Sequence, residues 1–260
     1  MRWFDAGVNV FDERLPLQPT LQNAIEAGVD RLCVIGTSEQ DWAACADAVE
    51  QHAEHLCCTF GVHPHYADHV SADWRSSLAN YLREFPAAAV GECGLDFNRM
   101  FSSKKNQLDV FETQLGLASE FGLPVYLHER DAFEDQYQIL TDYRPELSGG
   151  LVHCFTSHTA HLKAYLELDL YIGITGWLCD PKRGHDLREA IQYLPLDRLI
   201  LETDAPYLFP KGLKPRQRNN APENLPFIAT QVAQIKGISV EEVSQVSIIN
   251  TNTLLWPQHD

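Results

Sequence analysis

"AAAVGECG", residues 87–94, begins as an ordinary apolar strand and then places a carboxylate, Glu92, between two glycines. Short runs of the same kind, rich in Val, Ile and Leu, recur along the chain, and segments with helical spacing separate them. This alternation is typical of βα units around a parallel sheet. A polar side chain at the end of such a strand is a candidate for function, because that end of a barrel carries the chemistry.

The βα pattern can be followed eight times. The candidate strands are "RWFDAGVN" (2–9), "RLCVIGT" (31–37), "LCCTFGVH" (56–63), "AAAVGECG" (87–94), "LPVYLHE" (123–129), "GGLVHCF" (149–155), "LYIGITG" (170–176) and "RLILETD" (198–204). We interpret Ser38 as a helix N-cap, and Gly28 and Gly122 as helix stops. The pattern predicts an α/β fold of the (β/α)8 TIM-barrel type, one domain over residues 1–260, with two more helices after about residue 222.

Composition narrows the class of protein. The chain has 260 residues, 45% of them hydrophobic, which suffices for one large core. It has no apolar run long enough for a membrane span and no signal-peptide pattern, so we expect a cytoplasmic monomer without membrane contact. Seven scattered cysteines without a Cys-x-x-Cys pair fit reduced thiols. The formal net charge of −16 argues against a general nucleic-acid coat protein.

Four polar side chains end apolar runs at corresponding places. Glu92, His128, His153 and Asp204 belong to strands four, five, six and eight, and they are 36, 25 and 51 residues apart. One βα unit takes roughly 30 residues, so the four side chains should converge around the barrel mouth. One such residue alone is usually structural, but two imidazoles and two carboxylates together indicate a divalent-metal site with positions open for water.

Neighbouring residues receive different interpretations. Asp204 in "LETDAPY" can ligate the ion and take a proton from its water, whereas Glu202 is a candidate support or salt-bridge partner. His63 ends strand three and can reach the metal or a substrate phosphate. We interpret His65 and His69 as solvated loop residues.

Side-chain alternation along a strand separates the cysteines from the ligands. If Glu92 points into the barrel, Cys93 points away, and His153 and Cys154 divide in the same way. A cysteine nucleophile beside either ligand is therefore not expected.

Six segments, taken in order, resemble the TatD family of metal-dependent deoxyribonucleases, within the amidohydrolase-like barrel enzymes. They are "GVHPH", "VGECGLDF", "LPVYLHERDA", "LVHCFTS", "YIGITGW" and "LILETDAPYL", between residues 61 and 208. The resemblance implies a (β/α)8 fold, a divalent ion held by Glu92, His128, His153 and Asp204, and hydrolysis of phosphodiester bonds in DNA. It makes Glu92 and Asp204 the catalytic carboxylates.

The first strand departs from the usual family pattern. Most of the family has Asp-x-His-x-His there, whereas this chain has "DAGVN", with Asp5 kept and Gly7 and Asn9 in place of the histidines. This resembles the branch typified by TatD, which implies a magnesium-dependent 3′–5′ exonuclease on single-stranded DNA, with RNA as a further substrate and a role in DNA repair. Fewer nitrogen ligands favour Mg²⁺, with Mn²⁺ or Zn²⁺ as alternatives. Whether Asp5 and Asn9 contact the metal is open.

Positive charge concentrates in the loops that follow strands four, five, seven and eight. Half of the 20 Lys and Arg residues lie there: Arg99, Lys104, Lys105, Arg130, Lys182, Arg183, Lys211, Lys214, Arg216 and Arg218. The segment 205–222 has four of them and no acid. We expect Arg130, Arg216 and Arg218 to bind substrate. Three aromatic residues are candidates for base stacking: Phe97, Trp177 and Tyr207.

Two alternatives compete with a nuclease. The barrel can be an amidohydrolase-like enzyme for an amide or lactone, although its basic rim argues against a neutral substrate. It can also be a binding protein with a degraded metal site, which only the missing strand-one histidines support.

Overall fold

The computed structural model describes residues 1–256, so residues 257–260 of the predicted domain lie outside the described residues. Eight strands form one sheet of parallel neighbours whose order follows the sequence. They are β1 (Trp3–Val8), β2 (Val29–Val34), β3 (Leu56–Phe60), β4 (Ala87–Asp96), β5 (Val125–Arg130), β6 (Gly150–Val152), β7 (Tyr171–Ile174) and β8 (Leu199–Leu201). The predicted (β/α)8 TIM barrel is confirmed.

The barrel closes between its last and first strands, just beyond the end of β8. The Asp204 amide donates to the Gly7 carbonyl (2.9 Å), and the Asn9 amide donates to the Ala205 carbonyl (2.8 Å). An isolated parallel bridge joins Val8 and Ala205. These contacts hold Asp204 beside β1 although β8 has already ended.

Helices cover the outside of the barrel. They are α1 (Leu17–Glu26), α2 (Trp42–Gln51), α3 (Trp74–Glu84), α4 (Lys104–Phe121), α5 (Phe133–Tyr143), α6 (Thr159–Glu167), α7 (His185–Tyr193), α8 (Leu225–Lys236) and α9 (Val240–Leu255). Gly122 ends α4 in the left-handed conformation (φ 64°), which glycine adopts without steric cost. The predicted N-cap Ser38 was wrong, because α2 begins later and the Ser38 hydroxyl instead donates to the Asp41 carboxylate (3.0 Å).

The two helices predicted for the tail are α8 and α9, with Gly237 between them. Helix α9 supports the last strand through polar contacts. The Ser247 hydroxyl accepts the Leu201 amide (3.1 Å), and the Asn250 side chain donates to the Leu199 carbonyl (2.8 Å). The tail therefore fixes the strand that leads into the functional segment.

Strand β4 is longer than the sequence suggested. All ten of its residues are buried, and it continues to Asp96, so Glu92 lies within the strand and not at its end. Its register against β5 shifts between Val90 and Cys93. Glu92 and Asp96 are an even number of residues apart and share one face of the strand.

The two glycines of β4 allow β5 to approach closely. A Cβ at Gly91 would collide with the Tyr126 carbonyl, and one at Gly94 would collide with the His128 carbonyl. Both glycines have φ values that side-chain-bearing residues rarely adopt, 149° and 134°. They bring the strand that carries His128 next to the strand that carries Glu92.

Apolar side chains fill the barrel and the space between barrel and helices. The interior cluster includes Phe4, Cys33, Cys57, Leu151 and Ile200. All seven cysteines are unpaired, five of them buried and two half-buried. No helix within residues 1–256 combines the length and the apolar character needed to cross a membrane.

Candidate metal centre and cleft

The four predicted ligands meet at the mouth of the barrel. Glu92 and His128 project from β4 and β5, and His153 and Asp204 follow the ends of β6 and β8. Glu92 Oε1 lies 2.8 Å from His128 Nδ1, and His153 Nε2 lies 3.9 Å from both Glu92 Oε1 and Asp204 Oδ1. The convergence expected from the spacing is present.

The negative charge of the buried Glu92 carboxylate is stabilised by the histidines around it. Burial raises the pKa of Glu92, but His63, His128 and His153 together outweigh burial and hold that pKa below its usual range. Burial lowers the pKa of His128, but Asp96 and Glu92 raise it to about 9. The His128 Nε2 atom is buried and has no hydrogen-bond partner within residues 1–256. An orphaned imidazole nitrogen beside an ionised carboxylate fits a cation site.

A carboxylate beneath the site orients His153. The Nδ1 atom of His153 lies 2.6 Å from Glu202 Oε2 and 2.8 Å from the Tyr126 hydroxyl, which itself donates to Glu202 (2.9 Å). Burial lowers the pKa of His153, but Glu202, with Glu92 and Asp204, raises it to about 10. With Nδ1 bound to a carboxylate, Nε2 is left for the cleft, as in metal-ligating histidines. Glu202 thus lies where a supporting residue was anticipated.

His63 is arranged in the opposite way. Its Nδ1 atom accepts the amide of His65 (3.1 Å), in the 3-10 turn Pro64–Tyr66 that follows β3. Burial lowers the pKa of His63 well below its usual value, so the ring is neutral and its proton is on Nε2. That nitrogen lies 3.5 Å from Glu92 Oε1 and 3.3 Å from His128 Nδ1. Although it is within ligand distance, His63 presents a hydrogen-bond donor and not a lone pair.

Two residues without a predicted role also face the cleft. His65 was interpreted as a solvated loop residue, and this was wrong, because its Nε2 lies 2.6 Å from Asp96 Oδ2 and both residues line the cleft. Asp96 also accepts the Arg99 amide (2.8 Å) and lies 3.6 Å from His128 Nε2. The two-residue period of β4, followed beyond Glu92, would have identified Asp96.

The expected separation of ligands and cysteines holds for Cys93 but not for Cys154. The Cys93 thiol is buried against backbone carbonyls. Cys154 lies beyond the end of β6 with a φ of 45°, and it lines the cleft. Its sulfur lies within 4.8 Å of donor atoms of His153 and Asp204. Alternation fails here because the extended backbone has ended.

The four predicted ligands line a cleft of about 630 Å³. Five arginines line it: Arg14, Arg99, Arg130, Arg183 and Arg218. Arg216, although predicted to bind substrate, is not among the lining residues. Trp177 and Tyr207 line the cleft, with Arg130 5.4 Å from the Trp177 ring centre and Arg14 4.7 Å from that of Tyr207. Phe97, the third stacking candidate, does not line it.

Some of the predicted rim cations are held by acids. Asp180 binds both Arg183 and Lys211 (2.8 Å each), and Lys104 binds Asp135 (2.8 Å). Within residues 1–256, Arg130 and Arg218 have no carboxylate partner. Their charges are therefore available to an anionic ligand.

Residues 4–256 match the family described as TatD related DNase. The chain belongs to this family. A protein of Erwinia amylovora named 3′-5′ ssDNA/RNA exonuclease TatD is 41% identical over 255 residues, which cover 96% of this chain and 98% of that protein. A protein of the same name from a Rahnella species is 41% identical over 262 residues, covering 96% and 97%. The crystal structure of YJJV, a TatD homolog from Escherichia coli K12, superposes with a TM-score of 0.88 at 28% identity over 99% of both chains.

Gly7 in β1 stands where most members of the TatD family have a histidine. The structure has no space for a side chain at this position, because a Cβ on Gly7 would meet the Tyr126 hydroxyl and, at 2.9 Å, Glu202 Oε2. These two groups are the ones that hold His153. The space that a histidine side chain at position 7 would need is thus occupied by Tyr126 and Glu202, which hold His153.

Asp5 in β1 and Asn9, just after it, have different contacts. The Asn9 side chain donates to Asp204 Oδ1 (3.1 Å) and so orients that carboxylate, while burial raises the pKa of Asp204 to about 7. Asp5 is buried and does not line the cleft, and its Oδ1 accepts the amides of Thr203 (2.8 Å) and Gly7 (3.2 Å). Asp5 is a structural residue in this chain.

TatD-family nucleases depend on a metal ion, and the donors of this chain fit one. Two imidazoles and two carboxylates converge on strands and strand ends, which fix their geometry. Glu92, His128, His153 and Asp204 belong to two clusters whose donor atoms lie close enough together to hold an ion, one completed by His63 and the other by Cys154.

Proposed function

We propose that this protein is a divalent-metal-dependent exonuclease that hydrolyses phosphodiester bonds of single-stranded DNA, and also of RNA, in the 3′–5′ direction. One observation supports the chemistry most strongly: four potential metal ligands lie at the floor of a cleft whose walls carry arginines without carboxylate partners in the described part of the chain. The polarity and the RNA substrate follow from the relatives named for that activity. A role in DNA repair, a cytoplasmic location and a monomeric state stay predictions.

Mg²⁺ is the ion that we propose for catalysis. Mg²⁺ binds through one or two carboxylates and keeps several waters, and Glu92 and Asp204 supply two carboxylates in an open cleft. The imidazoles of His128 and His153 make the same site attractive to Mn²⁺, which accepts nitrogen more readily. We therefore expect both ions to support activity, with Mn²⁺ effective at the lower concentration.

The residues of the chain divide the reaction between them. A divalent cation held by Glu92, His128, His153 and Asp204 would polarise the phosphodiester and lower the pKa of the attacking water. Asp204 accepts the proton of that water: Asn9 occupies one of its carboxylate oxygens and leaves the other available. His63 donates a hydrogen bond from its neutral Nε2–H to a phosphoryl oxygen. The P–O bond to the 3′-oxygen of the adjoining nucleotide then breaks, and that oxygen takes a proton from solvent. Glu92 remains ionised beside the imidazoles and serves as a ligand only.

The cleft walls suit a flexible single strand. Arg130 and Arg218 hold phosphates on either side of the scissile bond by charge-assisted hydrogen bonds. Trp177 and Tyr207 offer ring faces on which bases can stack without sequence preference. An amide or lactone substrate would leave these cations without a partner.

The direct test uses one single-stranded oligonucleotide labelled at either its 3′ or its 5′ end. We expect the 3′ label to be released at once as a mononucleotide, and the 5′ label to remain on progressively shorter products. A chelator should stop the reaction and Mg²⁺ should restore it. Mononucleotide release from the 5′ label, or failure of every divalent ion to restore activity, would refute the proposal.

A matched pair of variants tests the cleft. Arg216→Ala and Arg218→Ala each remove one charge from the same loop, but only Arg218 lines the cleft. Arg218→Ala should weaken substrate binding by about tenfold and reduce its salt dependence, as expected for one lost phosphate contact. Arg216→Ala should change both much less. Equal effects would mean that the loop acts only through its net charge.

A further inference from the structure

The end of β6 turns a thiol toward the metal centre. The Cys154 sulfur, an imidazole nitrogen of His153 and a carboxylate oxygen of Asp204 all lie within 4.8 Å of one another. The only hydrogen-bonding neighbour of the sulfur in residues 1–256 is the Thr175 hydroxyl, at 3.5 Å. The five buried cysteines have no such access to the cleft.

The backbone fixes this orientation firmly. Cys154 has a φ of 45°, a left-handed conformation that is uncommon for a residue with a side chain. Three consecutive amides are bound: that of His153 to the Leu127 carbonyl (2.9 Å), that of Cys154 to Glu202, and that of Phe155 to the Gly173 carbonyl (3.0 Å). A strained residue that is held from both sides in a cleft indicates a functional constraint.

His153 provides the second indication of a ligand. It is only 5% exposed, and its Nδ1 is fully engaged by Glu202 and Tyr126. Its Nε2 atom makes no hydrogen bond within residues 1–256, and the nearest carboxylate oxygens, from Glu92 and Asp204, are 3.9 Å away. A buried imidazole therefore presents an unpartnered nitrogen beside a thiol and a carboxylate.

We propose that His153, Cys154 and Asp204 form a binding site for a thiophilic divalent cation such as Zn²⁺ or Cd²⁺, with Cys154 bound as a thiolate. Thiolate binds soft and borderline cations strongly, whereas Mg²⁺ prefers oxygen ligands and binds thiolate poorly. On binding, the S–H bond breaks, a sulfur–metal bond forms and the proton passes to solvent, with no change of oxidation state. The neighbouring Thr175 hydroxyl donates to the thiolate.

The site has a consequence for catalysis that rests on the proposed function. A thiophilic ion would occupy His153 and Asp204, which the proposed Mg²⁺ site also needs. The two ions therefore exclude each other, and Zn²⁺ is expected to act as an inhibitor that competes with Mg²⁺.

The proposal can be tested on the full chain without any nucleic acid. Cd²⁺ is titrated into the metal-free protein, and the thiolate-to-cadmium charge-transfer band in the ultraviolet is recorded together with the heat and proton release. We expect a band that saturates at one Cd²⁺ per chain. Cys154→Ser should abolish the band, release one proton fewer and lower the Cd²⁺ affinity on the order of 10–100-fold, as for other groups that support a metal.

Cys179→Ser is the matched control, because Cys179 is the other half-buried cysteine and does not line the cleft. It should keep the band and the affinity. An unchanged band in Cys154→Ser, or Cd²⁺ binding by calorimetry without any band in the unmodified chain, would overturn the proposal. If Cys154→Ser does not fold, the cadmium NMR shift of the unmodified chain decides instead, since one sulfur ligand moves it strongly. Failure of the nuclease proposal would leave all these readouts unaffected.

Discussion

The strand-three side of the metal centre, with His63, and the strand-six side, with His153, use the same residue type in opposite ways. Both rings are buried and both present Nε2 near Glu92. The Nδ1 of His63 accepts a backbone amide, whereas the Nδ1 of His153 faces the carboxylate of Glu202. Burial accordingly lowers the pKa of His63, while for His153 the carboxylates outweigh burial and raise the pKa to about 10.

The difference shows that the partner of Nδ1 determines whether Nε2, the nitrogen that faces the cleft, can donate a hydrogen bond or bind a cation. A ring that accepts at Nδ1 carries its proton on Nε2 and can only donate to a substrate or a ligand. A ring that donates at Nδ1 to a carboxylate has only Nε2 left for a cation, which binds there by displacing the proton that the raised pKa keeps on the ring. Proximity to Glu92 alone would have assigned both histidines to the metal.

The largest expected effect concerns the proton acceptor on the strand-six side. Asp204→Asn keeps the shape of the side chain but removes its basicity, so kcat should fall by about 10²- to 10⁴-fold, the range for loss of a general base. Single-turnover assays at saturating Mn²⁺ measure this. A kcat within a few-fold of the unmodified enzyme would exclude Asp204 as the base.

The second-largest expected effect is a loss of metal affinity when Glu202, which orients His153, is replaced. In Glu202→Gln the carboxylate that holds Nδ1 is neutralised, and metal affinity should fall by about 10- to 100-fold. Calorimetric titration with Mn²⁺ provides the measurement. An unchanged metal affinity would show that the contact between Glu202 and His153 does not contribute to metal binding.

A smaller effect is expected where strand one lost its histidine. Gly7→Ala places a Cβ against the Tyr126 hydroxyl, so the free energy of unfolding should fall by about 1–3 kcal/mol, the usual cost of overpacking. Tyr126→Phe removes the closest atom, and the double variant should lose less stability than the sum of the single variants. Strict additivity in urea unfolding would show that the hydroxyl does not occupy the space at Gly7.

The smallest expected effect is a pH dependence in the same strand. Burial raises the pKa of Asp5 to about 8, far above its ordinary value. A raised pKa means that the folded chain keeps a proton that the unfolded chain loses, so stability declines as pH rises from about 4 to about 8. Asp5→Asn removes this contribution and still accepts the amides of Gly7 and Thr203. Between pH 5 and 8 the unmodified chain should lose at least on the order of 1 kcal/mol relative to the variant.

Much of the site could be predicted from local patterns. The apolar runs and their spacing placed Glu92, His128, His153 and Asp204 at one end of a barrel, because βα units advance by regular steps. Glu202 was a candidate support by alternation with Asp204, although β8 ends at Leu201 and Asp204 has a φ of 54°. The regular spacing of the βα units, which the sequence encodes directly, is what made the four positions predictable.

The remaining features depend on backbone that is not regular. Cys154 faces the cleft because β6 ends before it and its φ is positive, and His65 does so because a 3-10 turn follows β3. The occupation of the Gly7 space by Tyr126 joins residues 119 positions apart in sequence, which no local pattern reports. Hydrogen-bonding partners, not residue types, distinguish His63 from His153.

The most direct measurement is a calorimetric titration of Mn²⁺ into the metal-free unmodified chain, His63→Ala and His153→Ala. The assignment of opposite roles predicts that His153→Ala loses metal affinity by about 100-fold or more, while His63→Ala keeps it within a few-fold and raises KM for the oligonucleotide instead. Equal losses of metal affinity in the two variants would contradict it, since both histidines would then be ligands.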